Sequence, residues 1–347
     1  MAEKSEKQPM QRKNKILIAV IALLVVAGVV LGVVFGLKSK NATNDQDKKS
    51  DSVKEDSKPT DNSGNNTVTP PPPKVNGTMI NGVLFPYYVL DGPTPAPVTT
   101  VGTVYSNCKV PNTFSISFDD GPSQYTTALL DLLDKEGIKV TFFVNGNNDG
   151  CIYEKQEIVK RAYKSGHQIA SHTWSHPSLL TLTPEKITEE MTKLETALKD
   201  ILGVVPRYMR PPFGDGGLGT NPAGDKKVQD TLRGLNYVIT TWDIASGDAN
   251  IDSHAPPYKL SDAALLAAQQ KEYNVGISGS PKGAPHMALQ HDTYERTVSL
   301  ITPWAIKMVK ELGYKIVPVG ECLGDDPRNW YKSIEAPAAT APTKCVP

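Results

Sequence analysis

An α/β fold on a parallel sheet, open or closed into a (β/α) barrel, is predicted by three features of the 347-residue sequence. Short apolar runs alternate with helix-patterned stretches from about Asn107 to Leu323. Polar clusters follow the apolar runs, at the strand ends where such sheets carry their sites. The first hundred residues and the last few are poor core material, which leaves roughly 220 to 240 residues for one sizeable fold.

Phe114–Phe118, Lys139–Val144, His167–Ser171, Tyr237–Trp242, Met287–Gln290 and Lys315–Val319 have the apolar content of strands. Thr126–Glu136, Gln156–Ser165, Pro184–Leu202 and Thr302–Leu312 have the spacing of helices. The third is the best punctuated, with Thr183 as N-cap, Pro184 at the first helical position and Gly203 as the stop. The sequence shows no internal repeat.

Outside this core, residues 1–15 are expected to be a cytoplasmic tail and residues 16–37 a transmembrane signal anchor. Ile16 to Leu37 is uncharged and apolar over a length that crosses a hydrocarbon core. Lys4, Lys7, Arg12, Lys13 and Lys15 precede it, against Lys38 and Lys40 after it, which favours a single-pass type II orientation with the bulk of the chain extracellular. A cleaved signal peptide and secretion is the other reading. Residues 38–106 are expected to be a disordered stalk and leading segment, polar and then stiffened by Pro70–Pro73, with acceptor sequons at Asn41, Asn65 and Asn76. The folded domain is placed at 107–330, and a loose Ala/Pro-rich tail at 331–347.

The 37 basic and 37 acidic residues cancel, so the global charge gives no reason to expect nucleic acid, and a neutral polysaccharide suits the balance better. No protein partner is evident. In an oxidising compartment the four cysteines can pair. Cys108 with Cys322 is favoured because they bracket the first and last core strands. The places of Cys151 and Cys345 stay open.

Five clusters end predicted strands or follow apolar turns: Asp119-Asp120, His172 with His176, Arg210-Pro211-Pro212-Phe213, Trp242-Asp243 and His291-Asp292. One carboxylate and two imidazoles suit one divalent ion, zinc first and cobalt possible, and leave positions open for water and a substrate oxygen. A second carboxylate beside them can handle protons. His172 is followed by Thr, so this is no His-Glu-x-x-His protease site, and there is no Gly-x-Ser-x-Gly elbow. Gly214 to Gly219 formally matches a dinucleotide fingerprint but has no strand before it and no helix after it, and reads as a loop.

Ser-Phe-Asp-Asp-Gly-Pro (117–122), Ser-His-Thr-Trp-Ser-His (171–176), Arg-Pro-Pro-Phe-Gly (210–214) and Leu-Gln-His-Asp (289–292), in this order, resemble the polysaccharide deacetylases of the NodB-homology type, and among them most resemble fungal chitin deacetylases. The resemblance spans about Cys108 to Leu323. It implies a distorted (β/α) barrel and metal-dependent removal of acetyl groups from chitin or chito-oligosaccharides. By that resemblance Asp120, His172 and His176 would hold the metal, Asp119 would be the base and His291 the acid. Arg210 would pair with Asp119, and the backbone N–H of Phe213 would bind the oxyanion. Where the family carries Asp-x-x-Asp-Trp, this sequence aligned on Trp242 has Ala245, Asp248 and Ala249. Asp248 is then the expected partner of His291, with Asp243 as rival. Leu289 would line the acetyl pocket, and Trp174 would either stack on a sugar or pack beneath the metal loop. An O-acetyl esterase on xylan or another wall glycan, and a non-catalytic glycan-binding surface protein, are the alternative functions.

Overall fold

The computed structural model describes residues 77–80, 83–86, 88, 92–217, 219, 221–250, 259–338 and 345. All of them belong to the unit Pro71–Pro347. The expected cytoplasmic tail, the membrane anchor and the sequon asparagines lie outside the described residues. Among the described residues no helix is long and apolar enough to cross a membrane.

The core is one parallel sheet. Its strands are β1 (Val104–Tyr105), β2 (Thr113–Asp119), β3 (Thr141–Val144), β4 (Gln168–Ser171), β5 (Tyr208–Met209), β6 (Val238–Thr240), β7 (Ile244–Ala245), β8 (His286–His291) and β9 (Lys315–Ile316). The ladder runs β7-β8-β2-β3-β4-β5-β6-β1, and β9 pairs with the start of β2. No ladder joins β7 to β1 among the described residues, so the barrel is open. The chain nevertheless passes from β6, near one end of the ladder, to β7 at the other, using only residues 241–243. Four residue steps reach about 14 Å at most, so the sheet must curl to bring its ends that close. This is why the expected strand Tyr237–Trp242 stops at Thr240.

β2 is buried along its whole length, which is the pattern of a central parallel strand covered on both faces. Its residues pair with β8 on one side and with β9 and then β3 on the other. Around the sheet lie α1 (Thr126–Glu136), α2 (Gln156–Lys164), α3 (Pro184–Leu202), α4 (Pro222–Gly234), α5 (Asp262–Ile277) and α6 (Thr302–Glu311). In α3 the Thr183 hydroxyl accepts from the Lys186 N–H, and Gly203 closes the helix at φ +76°. α4 and α5 were not singled out from the sequence, although Asn221 and Ser261 cap them in the same way.

Three expectations at the edges of the core are corrected. The boundary at 106 cuts into the fold, because β1 belongs to the sheet and Asp325 accepts hydrogen bonds from the Val98 N–H at 3.2 Å and the Thr99 hydroxyl at 2.9 Å. The tail is not loose from 331 onward, because Tyr331–Ile334 pairs antiparallel with Val204–Pro206 and Cys345 is joined to Cys151. The strand expected over Lys315–Val319 ends at Ile316, and a short helix follows over Val319–Cys322. There the Val319 and Gly320 N–H groups are captured by the Thr141 hydroxyl and the Gln168 side-chain amide oxygen instead of a neighbouring strand. Cys108 and Cys322 form the other disulfide, as favoured.

Candidate active site

The site gathers where β2, β4, β5 and β8 end. β2 delivers Asp119, which is 2% exposed, and the chain then breaks through Asp120 at φ +75° into Gly121-Pro122. Among the described residues six non-glycine residues have positive φ, and four of them, Asp120, Thr173, His176 and Phe213, are in this cluster. Such backbone is costly for side chains with a Cβ and persists where the surroundings over-determine it.

Arg210, just beyond β5, is wholly buried and organises two neighbours. Its guanidinium donates to Asp119 Oδ1 at 2.7 Å, to the Ser117 hydroxyl at 2.9 Å and to the Thr241 carbonyl at 2.8 Å, and lies 4.2 Å from the Phe143 ring centre. Its own carbonyl oxygen is 2.6 Å from His172 Nδ1. A carbonyl only accepts, so His172 carries its proton on Nδ1 and presents the Nε2 lone pair. Asn145 steadies the same loop by donating to the His172 and Thr173 carbonyls.

Asp120 Oδ1 lies 3.3 Å from His172 Nε2 and 3.1 Å from His176 Nε2. Although buried, this oxygen has no hydrogen-bond partner among the described residues. The three donor atoms lie within 4.8 Å of one another. Lone pairs converging at such distances repel unless a cation lies among them, so the residues fit a divalent metal of the zinc or cobalt kind.

On the far side, His291 ends β8. Its Nδ1 is 2.8 Å from Asp248 Oδ1, and its backbone N–H donates to Asp248 Oδ2 at 2.8 Å. Asp248 also accepts from the Ser246 hydroxyl at 2.8 Å and the Thr297 hydroxyl at 2.9 Å. Burial pushes the His291 imidazole down, but the Asp248 carboxylate more than compensates and lifts it to about 9. Asp243 makes the equivalent pair at the opposite end of the strand: its Oδ2 is 2.6 Å from His286 Nδ1. Asp243 precedes β7 and Asp248 follows it, so only Asp248 stands at the carboxyl rim. The Trp242-Asp243 cluster therefore does not join the site through its carboxylate.

Trp174 is 8% exposed, and its ring is pressed on Gly146, where a Cβ would come within 1.9 Å of it. That leaves no face for a sugar, so its place as a substrate platform is withdrawn in favour of packing under the metal loop. Phe213 is 61% exposed and stands edge-on to His176, with ring centres 4.9 Å apart. Leu289 lies two residues before His291 on β8 and is nearly buried. An open groove of about 420 Å³ runs from Asp120 between Tyr125, Asn148, Asp149 and Tyr294, none of which the sequence reading singled out. Only their closeness to the motif ends could have marked them. Ser117, inside the Ser-Phe-Asp-Asp run, was likewise passed over as a partner of Arg210.

Residues 106–238 match the family model described as polysaccharide deacetylase. A chitin deacetylase of a Pestalotiopsis species is 45% identical over 233 residues, covering 67% of this chain and 71% of that protein. The chain belongs to the polysaccharide deacetylase family. A second member, the chitin deacetylase of Colletotrichum lindemuthianum, is 35% identical over 67% of this chain and 88% of its own length. Its solved structure superposes with a TM-score of 0.59 at 34% identity, covering 67% of this chain and 96% of that one. The curled parallel sheet described above is thus the family's fold.

Proposed function

We propose that the chain hydrolyses N-acetyl groups of chitin or N-acetylglucosamine oligomers, releasing acetate and leaving free amines. The observation that carries this reading is the pair of buried ion pairs, Asp119 with Arg210 and His291 with Asp248, at the same strand ends as the converging donors Asp120, His172 and His176. The chitin deacetylases among its relatives support the choice of substrate.

A divalent cation held by Asp120, His172 and His176 would supply a Lewis acid that lowers the pKa of water and polarises the acetyl carbonyl. Asp119, oriented by the Arg210 guanidinium, takes the proton of the attacking water. The Phe213 N–H donates to the oxygen that becomes negative as the carbonyl carbon turns tetrahedral. His291, protonated and held by Asp248, gives its proton to the departing amine, which would otherwise be too poor a leaving group. Leu289 lines the acetyl side, where Ala249 in place of the family's Trp makes that wall smaller. The groove beside Asp120, walled by tyrosines and polar side chains, suits the ring faces and hydroxyls of a neutral sugar chain.

We further propose that residues 16–37 anchor the protein in a membrane with the catalytic domain outside, in keeping with two disulfides that need an oxidising compartment. Membrane fractionation with external protease digestion tests this. Recovery of full-length protein in the soluble medium would replace the anchor by secretion.

Acetate release by the purified protein from N-acetylglucosamine oligomers, after chelation and again with Zn²⁺ restored, tests the activity. Release that vanishes with chelator and returns with metal is expected. Acetate from acetylated xylan alone would make it an esterase, and none from any acetylated glycan would overturn hydrolysis altogether.

A further inference from the structure

Asp292 follows His291 at the end of β8 and is wholly buried, yet no step above uses it. Its carboxylate lies against the turn that follows Asp120. A Cβ on Gly121 would meet its oxygens at 2.3 and 2.4 Å, so residue 121 can only be glycine while Asp292 keeps its place. The Thr126 hydroxyl donates to Asp292 Oδ2, and the Ser123 hydroxyl to the Asp292 main-chain oxygen, both at 2.5 Å. Each hydroxyl is aimed by a backbone donor: the Ser123 N–H binds Thr126 Oγ1 at 2.7 Å, and the Tyr125 N–H binds Ser123 Oγ at 2.9 Å.

The ladder between β2 and β8 ends at the pair Asp119 and His291. Beyond that pair no ladder bond joins β2 to β8; the Gly121 carbonyl is held from the other side by the Asn145 N–H at 2.9 Å, and Asp120 between them adopts the left-handed backbone that turns its carboxylate toward His172 and His176. Asp292 is the residue that carries the connection past the ladder's end. A side chain needed only to fill space there would be apolar, because a buried carboxyl costs free energy, and Asp292 Oδ1 has no hydrogen-bond partner among the described residues. Burial pushes this carboxyl up to about 7, which fits a group retained for its shape and its bond to Thr126.

We propose that Asp292 is a positioning residue that clamps the carboxyl end of β8 to the Gly121–Thr126 turn and so fixes Asp120 relative to His291. The proposal rests on the deacetylase reading only in calling His291 the acid.

Three variants test it: Asp292→Ala, Asp292→Asn and Thr126→Val, each assayed for Zn²⁺ affinity by chelator competition and for kcat and KM on the N-acetylglucosamine tetramer. Removing a group that orients a metal ligand costs about 10- to 100-fold in metal affinity. D292A is expected to weaken Zn²⁺ at least about tenfold and to lower kcat by a similar factor with KM little changed. D292N keeps an oxygen for the Thr126 hydroxyl and is expected to restore both. T126V removes the same bond from the other side and should reproduce the loss of affinity even if D292A does not fold. Zn²⁺ affinity and kcat unchanged in T126V, or D292N as impaired as D292A, would overturn the clamp. Should the native protein release no acetate from any glycan, the deacetylase reading falls, and the Zn²⁺ series still decides the clamp.

Discussion

His291 stands directly opposite Asp119 across the ladder between β8 and β2. The proton donor and the proton acceptor are therefore neighbours in one hydrogen-bonded register, and each is held by a buried partner of opposite charge. Four consequences can be measured.

Asp119→Asn keeps the shape of the base but removes its proton affinity. A drop in kcat of about a thousandfold is expected, within the range for loss of a general base. Zn²⁺ stoichiometry by metal analysis should stay at that of the native protein, because Asp119 is not among the three converging donors. An active variant would dismiss Asp119 as the base.

The His291 imidazole must be protonated to act as acid, and its pKa is raised to about 9. The alkaline limb of kcat/KM is therefore expected near that value. In Asp248→Asn the lifting charge is gone, and the limb should move down toward the ordinary histidine value of about 6.5. The same shift has a stability side. A folded pKa above the unfolded one means that the pair's contribution is fully present below about pH 6.5 and is lost as pH rises through about 9. Urea unfolding across that window should show native stability falling with pH more steeply than the D248N variant.

Arg210 has no exposed side-chain surface, and its removal would strand the Asp119 charge in the interior. Arg210→Ala should cost about 3–5 kcal/mol in denaturant unfolding, the usual penalty for breaking a buried pair from one side. Arg210→Lys retains the charge but not the fork that reaches Asp119, Ser117 and Thr241 together, so it should recover stability only in part.

Cys345→Ser releases the end of the chain from the hairpin that begins at Asn147, and frees Cys151. The link closes a sequence separation of 194 residues, and losses of about 2–5 kcal/mol are typical for native disulfides. Differential scanning calorimetry under non-reducing conditions should show a lower Tm. A Tm equal to that of the native protein would mean that the tail contributes nothing to the fold.

Much of the fold was legible because its signals are local. Thr183 and Pro184 mark the start of α3 and Gly203 its end, and Asp119 to Pro122 closes the apolar-rich run Phe114–Phe118. β1, β5 and β7 were not legible, because strands of two residues are defined by the neighbours they pair with and carry no pattern of their own. The pairing of Tyr331–Ile334 with Val204–Pro206 is invisible for the same reason. In the site, residue identities and motif order brought the metal donors together on paper, whereas the choice between Asp243 and Asp248 depends on which end of β7 each occupies. Trp174 depended on a contact with Gly146 that no spacing reveals.

The long-range pairing of β2 also sets the order in which the site can come into being. The Ser117 hydroxyl donates to the Ala288 carbonyl across a separation of 171 residues, and β9, still further on, pairs with the start of the same strand. A chain emerging from the ribosome carries Asp119 and Asp120 early, but it cannot place them until β8 has been synthesised and has inserted beside β2. Contacts so distant in sequence close slowly. Until they do, a strand that the finished sheet buries on both faces is left without its neighbours and exposed to association with other chains. The completed centre is thus a late product of folding, and a chain that stops short of β8 would carry the motif for a carboxylate pair without the neighbour that gives it a use.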